Sequence, residues 1–421
     1  MLVTRKMSRF AYLCQEEECA MGQLAIPEAL KDFAGRINDI DSHEMVPAQL
    51  WDREFGPVTR DLASMFLQGP PNDLNGLNFP DVVGDNTKID PATLWKIKGP
   101  PAPGTIDPKR RLEVMDITGV NRQLMFPSGV AIMASFLYNF PPEYGFFPNF
   151  KGDRKAYGLE LLRANNDWSV RAAKVSSRLR PVAAVFGSTP HELISYTREL
   201  IEQGIRAVWL MSSVLPGGKS PAHSDLDAFW QLLTDHDVTG TLHLGSEGGF
   251  FKTDAWSDAP AFDGYKVNHE INLSPWHLSV MHLPTQNFLA TMVTGGVFER
   301  HPKLRFGCIE LAAHWVGPMA SMLDTWHANN QHFGKTQVDR LPMKPSDYIR
   351  RNVRVSAFDF EPVDEFIERY GLEDVYCYAS DYPHLEGGKD PMGRFAARLE
   401  RLGPHIMEKF FVQNGAYLLP P

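Results

Sequence analysis

Two stretches decide how this chain is read: Asp39-Ile40-Asp41-Ser42-His43 near one end and Ser380-Asp381-Tyr382-Pro383-His384 near the other. The first closes a strand-like run, Arg36–Ile40. The second follows another, Val375-Tyr376-Cys377-Tyr378-Ala379. Each therefore puts carboxylate and imidazole groups just past a strand end. Strand ends converge on one point in few architectures, and the (β/α)₈ barrel is the commonest of them. In an extended segment, residues two apart share a side. Asp41 and His43 can then hold one ion while Ser42 faces away. Alone, such a pair reads equally as a turn-forming Asp beside a surface His; its place after the first strand favours the ion.

The chain between the two stretches alternates short β-rich runs with longer helical patterns. The runs are Arg36–Ile40, Arg122–Phe126, Val182–Phe186, Ala207–Met211, Thr239–His243, Leu304–Ile309, Val353–Ser356 and Val375–Ala379. Helical patterns occupy Lys109–Thr118, Ala156–Leu179, Pro190–Gln203, Leu226–Asp235, Pro284–Arg300, Ala312–Ala328, Val363–Tyr370 and Met407–Leu418. Such alternation predicts a parallel sheet covered by helices. Eight runs, with candidate ligands at the first and last, favour a closed barrel over an open sheet. No GxGxxG follows an early run, so the usual mark of the open alternative is missing. The expected fold is an α/β (β/α)₈ barrel over 36–421, with an N-terminal arm over 1–35.

Four long segments, 41–108, 127–155, 212–225 and 244–283, read as loops inserted after strand ends, on the face where barrels keep their sites. They are rich in aromatic residues, including Phe136, Tyr138, Trp256 and Trp276. Most of these are expected to pack the loops down, with a minority lining an apolar pocket above the ion.

Composition narrows the partners. The chain has 421 residues, 43% of them hydrophobic, enough to bury a large core. A net charge of -9 argues against nucleic-acid or anionic-membrane partners, which want a basic face. The four cysteines (Cys14, Cys19, Cys308, Cys377) show no CxxC spacing and read as reduced thiols. No apolar run is long enough to cross a bilayer, and Glu16-Glu17-Glu18 stands where a signal peptide needs an apolar core. The expectation is a cytoplasmic enzyme with a small-molecule substrate. The arm is expected to cover the barrel or meet a partner chain, in a homo- or hetero-oligomer.

Further donors stand at intermediate strand ends. His243 ends Thr239-Gly240-Thr241-Leu242-His243; its plain reading is a hydrogen-bonded near-surface imidazole, and its company favours a ligand. Glu247 follows in a Gly-rich loop and ranks lower. Glu310 ends the sixth run, with His314 four residues on. If a helix begins there, both lie on one face and can coordinate one ion, or Glu310 can bridge two. A carboxylate capping a helix N-terminus is the plain alternative. Asp381 reads as a ligand or as the base that takes a proton from water. His384 reads as a ligand, a supporting partner or a packing residue. His282 stands apart from the other histidines because it lies in the insertion after His243.

These residues resemble the amidohydrolase superfamily, in the branch of aminocarboxymuconate-semialdehyde decarboxylase and the resorcylate-type decarboxylases. The resemblance covers 36–420. It rests on Asp41-Ser42-His43, Gly204-Ile205-Arg206-Ala207, Phe298-Glu299-Arg300-His301-Pro302-Lys303-Leu304-Arg305, Ala379-Ser380-Asp381-Tyr382-Pro383-His384 and Asn414-Gly415-Ala416. It implies a (β/α)₈ barrel and a divalent metal, with the first-strand pair at Asp41 and His43, the fifth-strand histidine at His243 and the eighth-strand aspartate at Asp381. Two departures matter. Asp41 stands where the family usually has histidine, and Glu310, with His314 nearby, replaces a sixth-strand histidine. Oxygen donors shift preference from zinc toward iron or manganese. Asp41, His43, His243, Glu310, His314 and Asp381 also supply enough groups for two ions.

Three functions follow as expectations. The first is a metal-dependent hydrolase or decarboxylase of a small organic acid, with Asp381 moving the proton and Glu310 or His314 assisting. The second is a dinuclear iron or manganese-iron oxygenase, similar to the 2-aminoisobutyric acid hydroxylase type. The third is a non-catalytic barrel that supports a catalytic partner.

Overall fold

The computed structural model describes residues 24–72, 77–140, 147, 150–212, 215–245, 256, 258–264, 274–329 and 341–421. Eight strands are present among them: β1 (Ile37–Asp39), β2 (Val120–Met125), β3 (Leu179–Ala184), β4 (Ala207–Trp209), β5 (Thr239–His243), β6 (Phe306–Ile309), β7 (Val353–Ser356) and β8 (Tyr376–Cys377). They lie in sequence order, and every neighbouring pair is parallel. β4 to β8 are buried at every residue, as strands walled by helices outside and side chains inside must be.

The two opening stretches form the closing seam. Ile40 N donates to Tyr378 O (3.2 Å), Asp381 N to Asp41 O (2.9 Å) and His43 N to Tyr382 O (2.8 Å). Ser42 and Tyr382 pair as an isolated parallel bridge. The barrel thus shuts where the candidate ligands leave β1 and β8. This is the (β/α)₈ barrel that the strand count predicts.

The C-terminal turn seals the opposite end. Arg305 donates to Tyr417 O (2.9 Å), Thr239 Oγ1 to Leu418 O (2.7 Å), Arg122 to Leu419 O (3.1 Å) and Arg180 to Pro420 O (2.8 Å). Carbonyls that a helix end leaves unpaired are satisfied by side chains from four strand segments. Close packing of this turn explains Asn414-Gly415-Ala416. Asn414 donates to Glu373 O and Tyr376 O. A Cβ on Gly415 would stand 2.8 Å from Asn38 Cβ and 2.9 Å from its carbonyl oxygen.

The helices differ from expectation in informative places. The pattern over 284–300 is two helices, Leu283–Thr294 and Val297–Arg300, parted at Gly295-Gly296, where Gly296 takes φ +73°. The pattern over 156–179 is Arg154–Ala173, and Leu179 opens β3 instead. Segment 127–155 is not a plain loop, since it contains the helix Gly129–Asn139. That helix is apolar nearly all round and mostly buried, so no amphipathic period marked it. Trp51–Phe55 and Arg60–Phe66 are helices within the first insertion, and Pro345–Asn352 and Pro391–Leu399 complete the outer ring. Residues 407–418 form a π turn, Lys409–Gln413, between two short helices rather than one helix. Most of the arm lies outside the described residues. No described helix is long and apolar enough to cross a membrane.

Candidate metal centre

Five side chains from four strand ends meet in the buried mouth of the barrel. Asp41 and His43 leave β1, His243 ends β5, Glu310 follows β6 and Asp381 follows β8; all five are at most 4% exposed. His43 Nε2 lies 3.4 Å from Asp41 Oδ1, 3.5 Å from Glu310 Oε2 and 3.5 Å from Asp381 Oδ1. His243 Nε2 lies 3.0 Å from Glu310 Oε2 and 3.6 Å from Asp41 Oδ1. Around a divalent ion with bonds of about 2.0–2.2 Å, adjacent ligand atoms stand roughly 3.0–3.5 Å apart. The observed spacings, from 3.0 to 3.6 Å, are close to those of such a shell within each group of neighbouring donors. Two overlapping donor groups emerge, Asp41–His43–His243–Glu310 and His43–Glu310–Asp381–His384.

The hydrogen bonding fits the same use. Both Asp41 oxygens, both Asp381 oxygens and His43 Nε2 are buried without an aligned hydrogen bond among the described residues. Buried polar atoms are seldom left so. The imidazoles, meanwhile, are oriented from behind. His243 Nδ1 is 2.9 Å from Leu244 O. A carbonyl only accepts, so Nδ1 holds the proton and the neutral ring keeps its Nε2 lone pair for the centre. His43 Nδ1 is 3.3 Å from Ser128 Oγ. Two of the carboxylates stand on left-handed backbone, Glu310 at φ +57° and Asp381 at φ +49°. Residues held there tend to cluster at functional sites. Glu310 N donates to Ser356 Oγ (2.7 Å), and Asp381 N to Asp41 O, which holds both in place. Asp41, Glu310 and Asp381 border a cavity of about 10 Å³, room for one water-sized species.

Crowding of charge shifts the proton affinities. Burial would push His243 down, but Glu310 and Asp41 overcome it and raise the imidazole to about 10. Burial likewise works to raise Glu310, yet His243 and His43 hold it below the usual carboxylate range. Burial and then Glu310 raise Asp381 well above its ordinary value, against the pull of His384. Without an ion, protons carry the compensation that a divalent cation would supply.

Not every expected residue joins the centre. The helix after β6 starts at Val316, and Ala312 turns the chain at φ +57°, so Glu310 and His314 do not share a helical face. The His314 side chain is 51% exposed, 3.7 Å from Glu361 Oε1, and belongs to neither converging group. His282 packs edge-on to that ring at 4.7 Å, and burial followed by His314 lowers it to about 4. His384 does join: its ring stacks on His43 at 3.9 Å, with Nδ1 3.0 Å from Asp381 Oδ1. Glu247 lies outside the described residues.

Several supporting residues escaped the sequence reading. Asp39 accepts from the backbone N of Asp41 and of Ser380. Glu44 accepts from Ser128 N (2.8 Å) and Val46 N (3.0 Å), and burial raises it to about 7. Glu361 accepts from Ala313 N, His314 N and Phe358 N, bracing the turn after Glu310. The signal for Asp39 was available, because a carboxylate inside a buried strand needs a partner.

A (β/α)₈ barrel with a carboxylate–histidine cluster at its strand ends defines the class. The chain belongs to the amidohydrolase family, whose model matches residues 154–420, and it is an enzyme of the amidohydrolase-related type. Solved structures share the fold. An amidohydrolase from Mycobacterium avium subsp. paratuberculosis K-10 is 21% identical over 91% of this chain and 99% of its own, with a TM-score of 0.65. The IDCase of Metarhizium anisopliae is 18% identical over 91% and 96%, with a TM-score of 0.57. The 5-carboxyvanillate decarboxylase of Novosphingobium aromaticivorans DSM 12444, with manganese and 4-hydroxy-3-methoxy-5-nitrobenzoic acid bound, is 16% identical over 96% and 100%, with a TM-score of 0.55. No curated protein matches the chain.

Proposed function

We propose that this enzyme is a divalent-metal decarboxylase of a small organic acid, with metal-dependent hydrolysis as the second reading of the same site. The observation that carries the proposal is the convergence of Asp41, His43, His243, Glu310 and Asp381 at coordination spacing. One ion is favoured over two. Both donor groups contain His43 and Glu310. The His43 nitrogen that faces them has a single lone pair, so it can serve only one ion. A second ion, as the dinuclear oxygenase reading needs, would have to be held by Glu310, Asp381 and His384 without His43. The first group brings two carboxylates and two imidazoles together, and its oxygen donors suit manganese or iron better than zinc. Manganese in the decarboxylase from Novosphingobium aromaticivorans DSM 12444 supports that preference.

A divalent ion held here would supply Lewis acidity to a substrate oxygen. The chain's own part is proton handling. Asp381 Oδ1 stands 3.0 Å from His384 Nδ1, close enough for a proton to pass between them. In decarboxylation, the bond between substrate carbon and carboxylate breaks and its electron pair stays on carbon. Asp381 delivers the proton to that carbon and recovers it through His384. In hydrolysis, the same pair would take a proton from water.

Elemental analysis of purified enzyme, with carbon dioxide release measured across hydroxybenzoic and other small carboxylic acids, tests this. One divalent ion per chain and metal-dependent carbon dioxide release are expected. Two ions including iron, with oxygen consumed on substrate addition, would overturn the reading.

A further inference from the structure

We propose that Asp39 is the positioning residue of the centre, presetting Asp41, His43 and Asp381 for one ion through a buried link to Gln123 and Arg111. The inference rests on reading the cluster as a metal centre. Asp39 is the last residue of β1 and is buried. Its Oδ1 accepts from Asp41 N (3.2 Å) and Ser380 N (2.9 Å). Its Oδ2 accepts from Ser380 Oγ (2.6 Å) and Gln123 Nε2 (2.7 Å). A carboxylate offers about four acceptor directions, and here all are engaged. Asp39 is therefore not itself a ligand. It grips the backbone of one ligand, Asp41, and of the residue before another, Asp381, although the two lie at opposite ends of the chain.

The third grip runs through β2. Gln123 passes the contact on: its Oε1 accepts from Arg111 Nη1 at 3.3 Å. Arg111 is wholly buried and donates Nη2 to His43 O and Nε to Gly104 O (2.6 Å). The Asp39 carboxylate and Arg111 guanidinium stand on either side of the Gln123 amide, and Asp39 is, after Asp85, one of the carboxylates whose charge favours the buried guanidinium. Buried charges need such a partner. Between them they fix the main chain on both sides of the D-x-H pair. The outer supports (Ser128 behind His43, Leu244 O behind His243) orient rings, whereas this layer sets where the ligand backbones stand.

The chemistry requires a carboxylate. In Asp39→Asn, one acceptor becomes a donor and faces either two backbone N–H groups or the Ser380 hydroxyl and the Gln123 amide. The test uses metal-free protein titrated with manganese and cobalt(II) against a competing chelator, with the cobalt absorption spectrum recorded. Asp39→Asn should weaken binding about 10- to 100-fold, as loss of a ligand-orienting partner does, and should shift the cobalt bands. The reciprocal variant, Asp39→Asn with Gln123→Glu, returns a carboxylate–amide pair beside Arg111 and should recover part of the affinity. If Asp39→Asn does not fold, Gln123→Met, which cuts only the link, should weaken binding at least tenfold. Wild-type affinity and an unshifted spectrum in the folded variants, whatever their stability, would overturn the positioning role. Wild-type protein that binds no divalent ion would instead bring down the metal reading, and this inference with it.

Discussion

His243 Nε2 and Glu310 Oε2 stand 3.0 Å apart, the shortest of the distances through which the two imidazoles face the carboxylate donors of the centre. Without an ion the pair holds a proton, which Glu310 and Asp41 stabilise until His243 reaches about 10. An ion needs the lone pair that this proton occupies. Metal binding should therefore release protons at neutral pH. Affinity should climb with pH by about tenfold per unit between roughly 7 and 9. Calorimetry in buffers of different ionisation enthalpy measures the release directly. The sign for the metal-free protein is opposite. A His raised in the folded state contributes stability that is complete below its unfolded value near 6.5 and fades as pH rises through about 10. A pH-independent ion affinity would mean that His243 is not a ligand.

The Asp381–His384 contact separates proton transfer from ion binding. His384 belongs to one of the two donor groups, but its Nδ1 lies nearest an Asp381 oxygen. His384→Asn should retain the ion and lower turnover by about 10²- to 10⁴-fold, the usual size of a general acid–base contribution. Asp381→Asn should lower both turnover and ion content. Loss of the ion from His384→Asn, with Asp381→Asn keeping it, would exchange their roles.

Glu310 and His314 read as one motif in the sequence, and the fold parts them. Glu310→Gln should lose ion affinity by more than tenfold, because it replaces a carboxylate in contact with both imidazoles. His314→Ala should leave ion content unchanged, since that half-exposed ring meets Glu361 and His282 instead. Metal analysis of the two variants side by side checks the distinction. Equal loss of metal from both would restore the shared-face reading.

The barrel was legible because eight β-rich runs and most of their covering helices carry periodicity, and because strand ends must converge once the barrel closes. The converging side chains were legible for the same reason: Asp41, His43, His243, Glu310 and Asp381 each sit at or just past a strand end. What escaped was set by contacts between distant residues. Asp39 precedes Asp41 by two, but its partners Ser380 and Gln123 come from the segment after β8 and from β2, and no local spacing shows that. His314 misled because helical spacing was extended through residues 310–315, where the backbone turns left-handed twice. The buried helix Gly129–Asn139 escaped because an element without a polar face has no period to read.

The turn that seals the barrel floor makes a prediction remote from the centre. Gly415 has no left-handed backbone to maintain, and a methyl there would meet Asn38 Cβ at 2.8 Å and its carbonyl oxygen at 2.9 Å. Neither can yield easily, because Asn38 lies in β1 and donates its side chain to Val412 O at 2.7 Å. Gly415→Ala should therefore destabilise the barrel by about 1–3 kcal/mol through overpacking. Gly35→Ala is the contrast. Gly35 takes φ +73° with nothing within 4 Å of the added methyl, so its cost is confined to backbone strain, of order 1 kcal/mol. Urea unfolding midpoints of the metal-free variants compare the two. Because Asn38 adjoins Asp39, Gly415→Ala should also weaken ion binding, whereas Gly35→Ala should not. A Gly415→Ala protein as stable as the parent would show that the C-terminal turn can move off β1 at little cost.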